Sequence, residues 1–125
     1  MEGTRMRRFM KAAVATTFAA GVMTTISATN AQAAGPVEGC PYGAVCIYPQ
    51  NAGWNNGQPS DFYYSYGPHN LRGKFGIHRI FNNQYGGATM RTCTGYDGNG
   101  CQGYLREFTY EDVNLTPINS ITLER

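Results

Sequence analysis

The chain has 125 residues, 42% of them hydrophobic, 13% aromatic and 14% charged, with ten Lys+Arg, eight Asp+Glu and four cysteines. Four of the basic residues and one of the acidic ones fall within the first 33 positions. The remaining 92 residues therefore carry six basic against seven acidic side chains, without the positive excess that nucleic-acid binding draws on.

In chain order, the opening MEGTRMRRFMKAAVATTFAAGVMTTISATNAQAAG joins Arg5, Arg7, Arg8 and Lys11 to an apolar run from Ala12 to Ile26 and the small-residue site Ala31-Gln32-Ala33. This predicts a secretory signal peptide over 1–33. The apolar run, about 15 residues, is shorter than the roughly 20 that span a bilayer. No membrane association is expected after cleavage, and residues 34–125 form one small extracellular domain, expected to be monomeric.

A body of that size gains only marginal stability from its core and calls for a covalent staple. Cys40, Cys46, Cys93 and Cys101 all lie in the exported part, where an oxidising compartment favours disulfides. Four cysteines allow three pairings. Cys40 with Cys46 and Cys93 with Cys101 are favoured, because each pair brackets a short turn-rich segment whose ends meet in a hairpin or turn; the other pairings stay open.

Between the cysteines the mature chain carries 14 aromatics and 14 glycines and almost no helical spacing of apolar residues. Turn signals recur at Pro41-Tyr42-Gly43, Asn51-Ala52-Gly53, Asn55-Asn56-Gly57, Gly67-Pro68, Gly86-Gly87 and Asp97-Gly98, which predicts short strands and an all-β fold. Trp54 sits at a hairpin tip in this reading, either exposed or folded back over the sheet. An alternating strand follows, with Phe62, Tyr64 and Tyr66 on the core face and Tyr63 left as the exposed ring.

The chain also repeats itself. At an offset of 44 residues Ala44, Tyr64, Tyr66, Asn70 and Leu71 fall on Ala88, Phe108, Tyr110, Asn114 and Leu115, and at an offset of 41 Ile77 and Ile80 fall on Ile118 and Ile121. Two units, about 40–83 and 84–125, are expected to bury each other's apolar faces as a sandwich.

Residues that carry chemistry are sparse. The cysteine spacings lack the C-x2-C hooks of zinc sites, and His69 and His78 have no close carboxylate in sequence. Ser60, Ser65 and Ser120 stand in no nucleophile signature. Asp61, Glu107, Glu111 and Asp112 show no pattern that sets two carboxylates across a cleft. No enzyme, metal or cofactor is expected. Trp54 and Tyr63 are candidate anchors for a glycan or a protein surface.

Two units of this length, each with a glycine-rich hairpin and a closing Ile-bearing strand, resemble the βγ-crystallin fold, a sandwich of two Greek-key units. Microbial members of that superfamily often bind calcium just before each unit's last strand. With Ile77 and Ile118 placed at that motif's apolar position, the ligand positions hold Gly73-Lys74 or Lys74-Phe75 and Leu115-Thr116 or Thr116-Pro117, without a carboxylate.

A closer resemblance covers nearly all of 34–125. The segments "CPYGAVCIY", "HRIFNNQYGGA", "CTGYDGNGC" and "LTPINSITL" look like secreted actinobacterial proteins of the Streptomyces metalloproteinase inhibitor family. The resemblance implies a crystallin-like fold, two short-range disulfides and a secreted metallopeptidase as partner. It further implies that the tethered loop meets the peptidase, with Cys93, Thr94, Gly95, Tyr96 and Asp97 as contact residues and Tyr96 as aromatic anchor. The glycines at 95, 98 and 100 equally describe a structural hairpin.

Overall fold

Short turns, many of them at positive backbone φ, cut the chain into eight strands: β1 Val45–Ile47, β2 Asp61–Tyr63, β3 Gly67–Asn70, β4 Ile77–Asn82, β5 Thr89–Cys93, β6 Cys101–Leu105, β7 Thr109–Asn114 and β8 Ser120–Glu124. Among the described residues the one helical element is a 3-10 turn at Asn55–Gly57. The structure, a computed structural model, describes residues 35–125; the predicted signal peptide lies outside the described residues.

The strands form two four-stranded antiparallel sheets, in the orders β2-β1-β4-β7 and β3-β8-β5-β6. Each sheet takes three strands from one half of the chain and a single edge strand from the other half, β7 in the first sheet and β3 in the second. Apolar residues of both sheets meet in one core. Val45, Ile47 and Ile80 come from the first sheet, Met90, Leu105, Ile121 and Leu123 from the second, and Leu71, Leu115 and Ile118 from the connections at one end. This is a β-sandwich, and burial of each of these side chains contributes roughly 1.5–3 kcal/mol.

β1 is buried on both faces. Val45 and Ile47 point into the sandwich, while Cys46 points outward into a second cluster with Cys40, Ala44, Tyr48 and Phe81, against which Val37 and Trp54 pack. The Cys40–Cys46 disulfide fastens this N-terminal cover to the sheet. Between the halves, Asn82, Asn83 and Gln84 are buried amides held by hydrogen bonds. Asn82 Nδ2 donates to the carbonyls of Ala88 (3.1 Å) and Leu105 (2.9 Å), and Asn83 Nδ2 donates to that of Cys40 (3.0 Å). Each of these bonds satisfies a carbonyl that water cannot reach.

The stretch Phe62–Tyr66 is not one strand. β2 ends at Tyr63 in the first sheet and β3 begins at Gly67 in the second, so Tyr64, Ser65 and Tyr66 belong to the crossover between sheets. Gly67, at φ +101, takes a backbone angle that L side chains rarely adopt, just where the chain enters the new sheet. The expected faces are also reversed. Tyr63 pairs with Val45 across the sheet and shares its inward face, packing on the core, whereas Phe62 lies opposite Cys46 on the outer face and stays 45% exposed. Tyr64 and Tyr66 are exposed as well.

Candidate functional site

The Cys93–Cys101 disulfide joins residues directly opposite in the β5–β6 pair, so it closes the base of a hairpin and leaves seven residues as a ring. Inside the ring the Thr94 N–H donates to the Gly100 carbonyl (3.1 Å) and the Gly95 N–H to the Asn99 carbonyl (2.9 Å). At the tip, Asn99 donates to the Tyr96 carbonyl twice, from its N–H (3.2 Å) and from Nδ2 (2.8 Å). Asp97 at φ +58 and Gly98 at φ +76 make the tight turn. A Cβ at Gly98 would lie 3.0 Å from Thr122 Cγ2 and 3.2 Å from Pro68 Cβ, so the ring is seated directly on β8 and β3.

Three side chains from elsewhere fasten it. Asn70, the last residue of β3, accepts the Asp97 N–H on Oδ1 (2.8 Å) and donates from Nδ2 to Asp97 Oδ1 (3.0 Å). Ser120 Oγ donates to the Gly95 carbonyl (2.7 Å) and accepts the Gly98 N–H (3.0 Å), while Asn119 Nδ2 donates to the Thr94 carbonyl (2.7 Å). The glycines therefore do not loosen the segment: Gly98 allows its close approach to β8 and β3, while Gly95 and Gly100 allow the two arms of the ring to close on Asn99 and Thr94. What the ring offers outward is Tyr96, 56% exposed.

Tyr96 stands between two open clefts. One, of about 350 Å³, is lined by Leu71–Phe75, Thr116, Ile118 and Asn119; the other, of about 440 Å³, by Asn70, Leu71, Arg72 and Asp97. Arg72 borders both clefts, and Phe75 is an exposed ring beside the first. The loop carrying them is anchored by His78, a buried side chain of β4 whose Nδ1 and Nε2 face the carbonyl oxygens of Tyr48 (2.7 Å) and Phe75 (3.0 Å).

The other residues singled out in the sequence are dispersed. Trp54 folds back on the outer face of the first sheet, half-buried, its ring edge-on to Tyr48, Phe81 and Tyr110, with the Arg79 guanidinium 4.8 Å from its centre. Tyr63 is half-buried, and burial together with the nearby Asp61 pushes its phenol up to about 12. Burial does the same to Tyr48, aided by Glu38, and its hydroxyl donates to the Glu38 carbonyl (2.8 Å).

His69 Nε2 lies 2.7 Å from the Ser65 carbonyl oxygen, and Ser60 Oγ donates to the Ile47 carbonyl (3.1 Å). The carboxylates are engaged separately. Asp61 pairs with Lys74, Glu107 accepts the Gly87 N–H, and Asp112 takes a two-point bond from Arg79 at 2.8 and 3.0 Å. That bond holds the Asp112 carboxyl below its ordinary range, outweighing the opposing effect of burial. Among the described residues no three His, Cys, Asp or Glu side chains are grouped as metal ligands, and no helix is long and apolar enough to cross a membrane.

Sequence reasoning reached the ring but missed its clamps, Asn70, Asn119 and Ser120, and its neighbours Arg72 and Phe75. In the sequence Asn70 stands out only as a repeat landmark, and Ser120 only as an isolated hydroxyl. Comparison with protein-family models, characterised proteins and solved structures returned no match.

Proposed function

We propose that this is a secreted proteinaceous inhibitor of metallopeptidases, built on a crystallin-like pair of Greek-key units, that acts by binding rather than by catalysis. The observation that carries the reading is the exposed Tyr96 on a ring closed by a disulfide and fastened by side chains of three other positions. A segment ordered before encounter loses little conformational freedom on docking, so an aromatic anchor on it converts contact into affinity. The metallopeptidase class comes from the sequence resemblance. The two disulfides fit an oxidising extracellular setting.

In this mechanism the ring enters the peptidase cleft with Tyr96 filling an apolar pocket, and the body of the sandwich blocks access by substrate. A surface or glycan platform built on Trp54 and Tyr63 is the weaker reading, because both rings are half-buried among protein side chains.

The test is a titration of the protein, collected from the medium after expression of the full chain, against a thermolysin-type metallopeptidase. Stoichiometric inhibition that Tyr96→Ala weakens by at least about tenfold supports the reading, since buried aromatic anchors are worth more than about 1 kcal/mol. Inhibition unchanged by Tyr96→Ala refutes the role of the ring, and no inhibition at micromolar excess removes this peptidase class as the target.

A further inference from the structure

The backbone on both sides of the Tyr96 side chain is already bonded within the protein. The Gly95 carbonyl accepts from Ser120 Oγ, the Tyr96 carbonyl accepts twice from Asn99, and the Asp97 N–H, at the far end of the Tyr96–Asp97 peptide, donates to Asn70 Oδ1. Asp97 is moreover in a left-handed conformation, which breaks any extended run through the tip. A peptidase that polarises its substrate with a bound metal must bring the scissile carbonyl oxygen to that ion. Extended peptides that add to a sheet edge are held by main-chain hydrogen bonds. The Tyr96 carbonyl thus has both acceptor positions filled, and the Gly95 carbonyl is tied to β8 through Ser120.

We infer that the ring engages its peptidase as a side-chain plug and not as a substrate analogue: Asn70 and Ser120 withhold the peptide bonds flanking Tyr96 from hydrolysis, and contact is made by Tyr96 with Phe75 and Arg72 beside it. The partner this surface fits has an apolar pocket for the Tyr96 ring and a carboxylate near its rim for Arg72. The identity of the partner rests on the inhibitor reading; the withholding of the two bonds does not.

Asn70 and Ser120 are thus positioning residues. They fix the backbone of the tip, while the anchor side chains make the contact. Asn70 lies 27 positions before Asp97 and closes a two-point pair with it, so its amide sets the orientation of the Tyr96–Asp97 peptide from outside the ring.

The experiment uses the full secreted protein, wild type and Asn70→Ala, incubated with two peptidases: a thermolysin-type enzyme, which cuts before large apolar residues, and a chymotrypsin-type enzyme, which cuts after aromatic ones. Intact mass reads the result, because a cut adds one water while the Cys93–Cys101 bond holds the pieces together, and reduction then separates them. The expected outcome is a wild-type ring intact at 95–96 and 96–97, with Asn70→Ala cut at 96–97 at least about tenfold faster, the scale of the two hydrogen bonds lost.

The exchanged pair Asn70→Asp with Asp97→Asn rebuilds the two-point contact with reversed polarity and restores protection, which loss of general stability would not allow. Ser120→Ala, whose hydroxyl is buried, is read only if its thermal unfolding remains cooperative. Phe75→Ala and Arg72→Ala weaken inhibition without hastening cleavage. A wild-type ring cut as fast as Asn70→Ala overturns the inference, and so does inhibition accompanied by cutting beside Tyr96, which would leave the inhibitor reading standing. An intact wild-type ring without inhibition supports the withheld bonds and removes the inhibitor reading.

Discussion

Removing the Cys93–Cys101 bond by the double substitution Cys93→Ala and Cys101→Ala is expected to destabilise the fold while leaving the folded ring in place. The two residues are separated by eight positions, and the chain-entropy relation for a loop of that length gives about 2.5 kcal/mol of stabilisation acting on the unfolded ensemble. The folded ring keeps its other supports, since the Thr94–Gly100 and Gly95–Asn99 bonds and the Asn70, Asn119 and Ser120 clamps do not involve sulfur. For a domain of this size the loss corresponds to a fall in melting temperature of roughly 10–20 °C. Thermal unfolding followed by circular dichroism, with amide exchange of Gly95, Asp97 and Gly98 measured at low temperature, checks both halves. A fall of less than about 3 °C would refute the entropic argument, because it would mean that the hydrogen bonds hold the hairpin closed even in the unfolded chain. A large fall with immediate exchange of all three amides would refute the claim that these hydrogen bonds hold the folded ring without the disulfide.

Other perturbations separate positions that look alike in sequence. Ile118→Ala should cost about 2–5 kcal/mol, as a buried core truncation, whereas Ile77→Ala, at the position aligned with it, should cost well under that because Ile77 is 43% exposed; urea denaturation compares them. Gly98→Ala should cost about 1–3 kcal/mol, through both its positive φ and the approach to Thr122 and Pro68, and should shift the Asp97 amide resonance. The Arg79–Asp112 pair should make stability depend on pH only on the acid side. The depressed carboxyl contributes stability in full above its unfolded value, near 4, and loses it as pH falls through the folded one, so Asp112→Asn should flatten stability below about pH 4. With Asp112 partly exposed, the effect at neutral pH should stay at or below about 1 kcal/mol. In alkaline titration followed by tyrosinate absorbance, two of the nine tyrosines, Tyr48 and Tyr63, should lag to about pH 12. The stability they lend as neutral phenols should fade between the ordinary value near 10 and that point.

The features legible in the sequence were those written in local spacing. Both disulfides join cysteines across short turn-rich segments, and frequent turn signals with no helical period gave short antiparallel strands. The offset landmarks also carried physical content, since Leu71 and Leu115, Ile80 and Ile121, and Ala44 and Ala88 are buried pairwise. Ile77 breaks that pattern where Ile118 keeps it, because two positions matched by offset need not share the same packing. Alternation misled at Phe62–Tyr66 because a period of two does not reveal where a chain leaves one sheet for another. The clamps escaped notice for a related reason: Asn70 and Asp97, or Ser120 and Gly95, become neighbours only when β3, β8 and β5 lie side by side.

The exchange of edge strands between the two halves of the chain bears on how the molecule comes into being. The first sheet stays incomplete until β7 has been made, and the second cannot close without β3, which lies far earlier in the chain. Neither half is a finished object: each alone would present an open sheet edge and half of a core to solvent. Assembly is therefore a late, collective event dominated by contacts distant in sequence, a class that folds slowly compared with local topologies. Two fragments cut between β4 and β5 would each seek the strand the other holds, and mixing them should rebuild the sandwich.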